Sequence, residues 1–165
     1  MPDYTSTSKQ ELVEGWEQFV TGFASWKWFI TLTFRDIVTN DQLEHQFKFL
    51  LQCLNRDLYG NHYTRIVGHS YFAYAMGIEA QRRGALHAHI LVDQNINLNI
   101  LHPIWNKMAG FAWAVPVDDV ERAVNYLSKY ISKGGDLSLY KPAQVKVPAF
   151  QPSWFNPTMI NLHKL

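Results

Sequence analysis

The sequence has little that would staple or anchor a chain. Its single cysteine, Cys53, excludes an internal disulfide framework and a multi-cysteine zinc site. No run approaches the ~18 consecutive apolar residues of a membrane span. The polar stretch from Pro2 to Gln10 after Met1 carries no secretory signal, so a cytoplasmic, reducing setting with no membrane contact is expected. An excess of charge of either sign is also missing: 15 Lys+Arg against 14 Asp+Glu leave +1. A protein that held DNA mainly through many phosphate contacts would be more basic. If this chain binds nucleic acid, it does so locally, through aromatic stacking or a metal.

What is present is apolar and aromatic. Hydrophobic residues make up 47% of the 165, with six Trp, eight Tyr and ten Phe. That content excludes disorder, and the length suits one compact domain with its own core. The organised part spans about 27–133. A Pro/aromatic-rich extension, 134–165, is expected to wrap a surface or to be partly mobile.

Apolar residues at helical spacing predict a helix over 8–24. Trp28 to Phe34 (WFITLTF) is β-branched and aromatic without a breaker, which predicts a strand. Asn40 caps a helix to about Tyr59, with Leu43, Phe47, Leu50, Leu51 and Leu54 inward and Gly60-Asn61 ending it. Tyr71 to Ala80 and Ala85 to Val92 read as a hairpin closed by Arg82-Arg83-Gly84, with Gly84 left-handed. A short helix follows at Leu98 to Met108, then a strand at Phe111 to Val117. Asp118 or Asp119 caps a last helix through about Lys133, stopped by Gly134-Gly135. This order predicts an α+β fold, an antiparallel sheet with helices packed on one face, of ferredoxin/RRM-like type.

The hairpin carries the first chemical pattern, GIEAQRRGALHAHILV at 77–92. His87 and His89 are two apart on a strand and project from one face. Closure at 82–84 sets Glu79 opposite His87, and cross-strand neighbours stand ~4.5–5.5 Å apart at Cβ. Glu79, His87 and His89 then share a patch, and Gly77 leaves space beside His89. Two imidazoles and a carboxylate with one side open suit a catalytic metal site. An H-x-H pair is also compatible with ordinary hydrogen-bonded surface residues. His45, His62, His69, His102 and His163 show no comparable spacing.

The second pattern is VERAVNYLSKYISK at 120–133. Val120, Val124, Leu127 and Ile131 fall in one helical stripe that must face the core. Tyr126 and Tyr130, four apart, share another face, and Lys129 and Lys133 follow each tyrosine by three. The lysines are compatible with a solvated last turn that complements the helix dipole, and the tyrosines with packing at the core edge. Because the stripe already supplies the core, both tyrosines are expected to stand outside the packing. A phenol beside a cation and a metal is a reasonable nucleophile.

Together these segments resemble the HUH endonucleases, enzymes that nick and join DNA strands. WFITLTF at 28–34 looks like their first motif, and ALHAHILV at 85–92 matches their His-hydrophobic-His motif. YLSKYISK at 126–133 is similar to the third motif in its two-tyrosine form, found in rolling-circle replication initiators including phage gene A-type proteins. The resemblance implies an HUH endonuclease fold, metal ligands His87, His89 and Glu79, nucleophiles Tyr126 and Tyr130, and motif lysines Lys129 and Lys133. No G-x-x-x-x-G-K-[ST] loop is present, so no helicase motor is expected in these residues.

The implied reaction is transesterification on single-stranded or hairpin-extruded origin DNA, leaving a 5′-phosphotyrosine and a 3′-OH. Mg²⁺ or Mn²⁺ is the expected ion, although Zn²⁺ also binds such a set. A host polymerase and helicase are the expected protein partners, and Trp26 or Trp113 are expected to stack bases. Three rivals stand beside this reading: a relaxase or single-tyrosine transposase of the same superfamily, a non-catalytic RRM-like module, and a small metallohydrolase.

Overall fold

Alternation of apolar residues along the strands decides how the chain is layered. The computed structural model describes residues 6–67, 72–132 and 137–142. Among them, β1 (Trp28–Thr33), β2 (Tyr74–Ala80), β3 (Leu86–Val92), β4 (Ala112–Pro116) and β5 (Leu137–Tyr140) form one antiparallel sheet in the order β4-β1-β3-β2-β5. The helices are α1 (Ser6–Phe23), α2 (Asn40–Tyr59), α3 (Tyr63–Val67), α4 (Leu98–Met108) and α5 (Val120–Ser132).

Ile30 and Leu32 of β1, Ala88, Ile90 and Val92 of β3 and Met76 of β2 bury one face of the sheet. The inner residues of α2, Leu43, Phe47, Leu50, Leu51 and Leu54, close over it together with Leu101 and Trp105 of α4. The opposite face is apolar too at one end, where Phe29, Leu91 and Ala75 pack beneath Val20 of α1 and Val124 and Leu127 of α5. Helices therefore cover both faces of this α+β fold, not one as the element order suggested. The reason is the near-continuous apolar run of β3, which needs a cover on each side.

Local signals account for most boundaries. Thr39, one residue before the expected Asn40, caps α2: its hydroxyl accepts from Gln42 N–H (3.2 Å), and the Gln42 side chain accepts from Thr39 N–H (2.9 Å). Asp119 is the cap of α5, accepting from Arg122 N–H at 2.9 Å. The short α3, and β5 within the expected extension, escape the sequence patterns; β5 adds to the β2 edge from Tyr74↔Tyr140 to Gly77↔Leu137. Tyr71, Lys133, Gly134-Gly135 and the chain after 142 lie outside the described residues.

At the far end of the β2–β3 ladder Asp93 accepts a 2.8 Å hydrogen bond from Ala73 N–H. Burial pushes its carboxyl up from the ordinary 3.8 to about 6, against the opposing pull of that hydrogen bond. Between those values the folded protein holds a proton that the unfolded chain has released. This contribution to stability is complete below about pH 4 and lost as pH rises through about 6. The stability difference between the wild type and Asp93→Asn, read from urea unfolding, should therefore shift against the wild type from pH 4 to pH 7. A difference that stays flat would contradict it.

Candidate active site

Strand pairing lays the polar residues out in rows on the face covered by α1 and α5. Thr33 pairs with His87 and His87 with Glu79; in the next row Thr31 pairs with His89 and His89 with Gly77. Trp113 of β4 extends this second row beyond Thr31. The hairpin register is the one expected from the turn. Gly84 has φ +84°, Gly84 N–H donates to Gln81 O (2.8 Å), and Gln81 N–H to Ala85 O (2.9 Å). Arg83 braces the turn, donating to Phe34 O (2.8 Å) and to Gln81 Oε1 (3.1 Å).

His89 sits at the centre and is only 4% exposed, in place of the open groove position that the hairpin alone suggested. Its Nδ1 lies 3.2 Å from Thr31 Oγ1, while Nε2 is buried without a hydrogen-bond partner, 3.8 Å from Glu79 Oε2. Burial lowers its pKa to about 4 against the pull of Glu79, so the ring is neutral at pH 7. In the tautomer whose Nδ1–H donates to Thr31, the Nε2 lone pair and the Glu79 carboxylate face the same space. That donor pair fits a divalent cation. His87, its pKa also lowered by burial, stands in the neighbouring row with Nδ1 3.4 Å from Gln81 Nε2. The three side chains thus share a face, but among the described residues no group of three His, Cys, Asp or Glu is gathered into a metal-holding set. Strand register places Cβ atoms side by side without choosing rotamers.

Helix α5 brings both tyrosines onto His89. The Tyr130 ring lies parallel to the imidazole at 4.6 Å and 7°, and Tyr126 meets it edge-on at 5.4 Å. The two phenol rings are 5.9 Å apart. They differ in burial: Tyr126 is 43% exposed and Tyr130 only 6%. The expectation that both stand outside the packing holds for Tyr126 and fails for Tyr130, which fills the space left by Gly77 and is part of the core. Burial, then the neighbouring Tyr126 and Glu79, raise the Tyr130 pKa above its ordinary value of 10.0. Lys129 is exposed, with Nζ 5.5 Å from the centre of the Tyr126 ring.

Other expected residues divide. Trp26 is buried and donates Nε1–H to Val20 O (2.8 Å), so it offers no stacking surface, whereas Trp113 does. Sequence reasoning missed Thr31, Gln81 and Glu17. Thr31 could have been found by placing the first strand beside the His strand. Glu17 of α1 accepts a 2.5 Å hydrogen bond from the buried Ser128 hydroxyl, between the tyrosines of α5, and no local pattern links these positions.

Two imidazoles, a carboxylate and two phenols thus lie together on one face of a helix-covered antiparallel sheet. The chain belongs to the replication-associated protein ORF2/G2P family, whose model matches residues 27–135, and so to the rolling-circle replication initiators. No curated protein and no solved structure matches the chain. Among the described residues no helix is long and apolar enough to cross a membrane.

Two substitutions test how α5 is held. A Cβ at Gly77 would stand 3.1 Å from Leu127 Cδ1 and 3.4 Å from Tyr130 Cδ2. Gly77→Ala should therefore cost about 1–3 kcal/mol by overpacking. Glu17→Ala removes a charge-assisted bond and should cost about 1.5–3 kcal/mol. Urea midpoints equal to the wild type would refute either account.

Proposed function

We propose that the chain nicks and rejoins single-stranded origin DNA by tyrosine transesterification. The observation that carries this reading is the convergence of the Tyr126 and Tyr130 rings on His89, beside Glu79. Two phenols meeting a neutral, cation-ready imidazole have no evident packing purpose at the exposed Tyr126. Family membership supports the replication setting.

Glu79, His87 and His89 are the residues that would hold Mg²⁺ or Mn²⁺, which when bound supplies Lewis-acid polarisation and positioning of the scissile phosphate. The Tyr126 oxygen attacks phosphorus and gives up its proton to solvent. The bond from phosphorus to the 3′ oxygen breaks, and that oxygen takes a proton to become a 3′-OH. The 5′-phosphate stays on the tyrosine, conserving the bond energy, so rejoining by a 3′-OH needs no ATP. Lys129 stands where its ammonium can pair with a phosphate at Tyr126. Thr31 orients His89. Tyr130, held protonated by burial, serves as the second nucleophile once helix or DNA shifts expose it. A host polymerase extends the 3′-OH, with a helicase opening the duplex. Lys133, the other motif lysine, lies outside the described residues.

The burial of Tyr130 favours one variant of this reading, in which Tyr126 is the sole nucleophile. A pool of random-sequence single strands, incubated with the protein and Mn²⁺ and resolved on a denaturing gel, tests both. A covalent adduct should form, vanish with chelator and in His89→Ala, and fall at least tenfold in Tyr126→Phe. Tyr130→Phe should still nick but lose strand transfer, whereas unchanged transfer would leave the single-nucleophile variant. An adduct that survives in the double phenylalanine variant would overturn the proposal.

A further inference from the structure

A cleft of about 950 Å³ opens between β4 and the start of α5 and runs up to Tyr126 and Lys129. It shares Thr31, Tyr126 and Lys129 with the proposed nicking site, and beyond them it is lined by residues such as Trp113 and Val115 that the chemistry does not use. On its sheet side stands Trp113, 50% exposed on the edge strand of the sheet. Trp113 shares its row with Thr31 and His89. At ~4.8 Å per strand its backbone position lies two strands, ~10 Å, from that of His89.

The charges of the cleft say what it can hold. Asp118, Asp119 and Glu121 line it against Arg122 and Lys129, so carboxylates outnumber cations. A groove that tracked a run of phosphates would carry the opposite excess. What the cleft offers is an open aromatic face with acceptors around it, and that suits a planar base with polar edges. An indole left half in water beside an apolar floor of Phe29 and Val115 has area to bury against such a ring.

We propose that this cleft binds one unpaired nucleobase of the substrate strand, stacked on Trp113, next to the phosphate presented to Tyr126. The proposal rests on the reading of the chain as a single-strand nickase. The base subsite anchors the strand through its rings, which suits a chain whose net charge is only +1.

Equilibrium binding separates this from the nicking chemistry, because it needs neither metal nor a reacting tyrosine. Fluorescence anisotropy with a mixed-sequence single-stranded 20-mer, without divalent ions, should show Kd rising about 5- to 150-fold in Trp113→Ala. Trp113→Phe should stay close to the wild type. The slope of log Kd against log salt should be unchanged, since no phosphate contact is removed. On a strand of abasic residues, wild type and Trp113→Ala should bind equally. Equal affinities on the base-bearing strand would overturn the base subsite, as would a Trp113→Ala deficit that persists on the abasic strand. Should Trp113→Ala fail to fold, wild-type binding to the two strands still decides, and equal affinity refutes the stacking. Adduct formation without Trp113 dependence sinks the subsite alone. Trp113 dependence without an adduct sinks the nicking reading alone.

Discussion

The site face depends on a steric gap. Opposite His89, β2 carries Gly77, and the absent side chain lets Leu127 and Tyr130 of α5 settle within van der Waals reach of the sheet. With α5 seated there, Tyr130 stacks on the imidazole, Tyr126 reaches it edge-on, and Val124 and Leu127 complete the apolar layer over Phe29 and Leu91. A side chain at 77 would press on Leu127 and Tyr130 and oblige them to give way by a few tenths of an ångström. The close approach thus couples the packing of one sheet face to the arrangement of the candidate chemistry.

The same seating makes the two tyrosines unequal. Four residues apart on one helix they look equivalent, yet one turn carries Tyr130 over the gap and leaves Tyr126 at the mouth of the adjoining cleft. Burial then raises the cost of ionising the Tyr130 phenol. His89 feels the same burial in the opposite sense, which keeps it neutral and able to donate a lone pair.

Helix α1 shows how a region outside the family match, 27–135, contributes to the site. It packs with α5 through Val20 and ties down Ser128 through Glu17. The sheet alone would leave the outer side of α5 without a partner. An added helix is the physical solution to an apolar layer that has two exposed sides.

Much of this was legible in the residues. The pairing of Glu79 with His87 and of Gly77 with His89 followed from a turn glycine and the two-residue period of a strand, both local rules. The inner face of α2 and the Val124–Leu127 stripe followed from helical periodicity in the same way. The second helix layer, β5, the burial of Tyr130 and Trp26, and the Glu17–Ser128 bond were not legible. Each depends on what arrives from a distant part of the chain, and a local pattern records a residue's face but not what will cover it. Residue spacing sets the elements, their hairpin register and which side chains share a face, because backbone geometry follows local periodicity. Which of those side chains are buried, which imidazole faces a carboxylate and which indole stays open depend on the close packing of elements far apart in the chain.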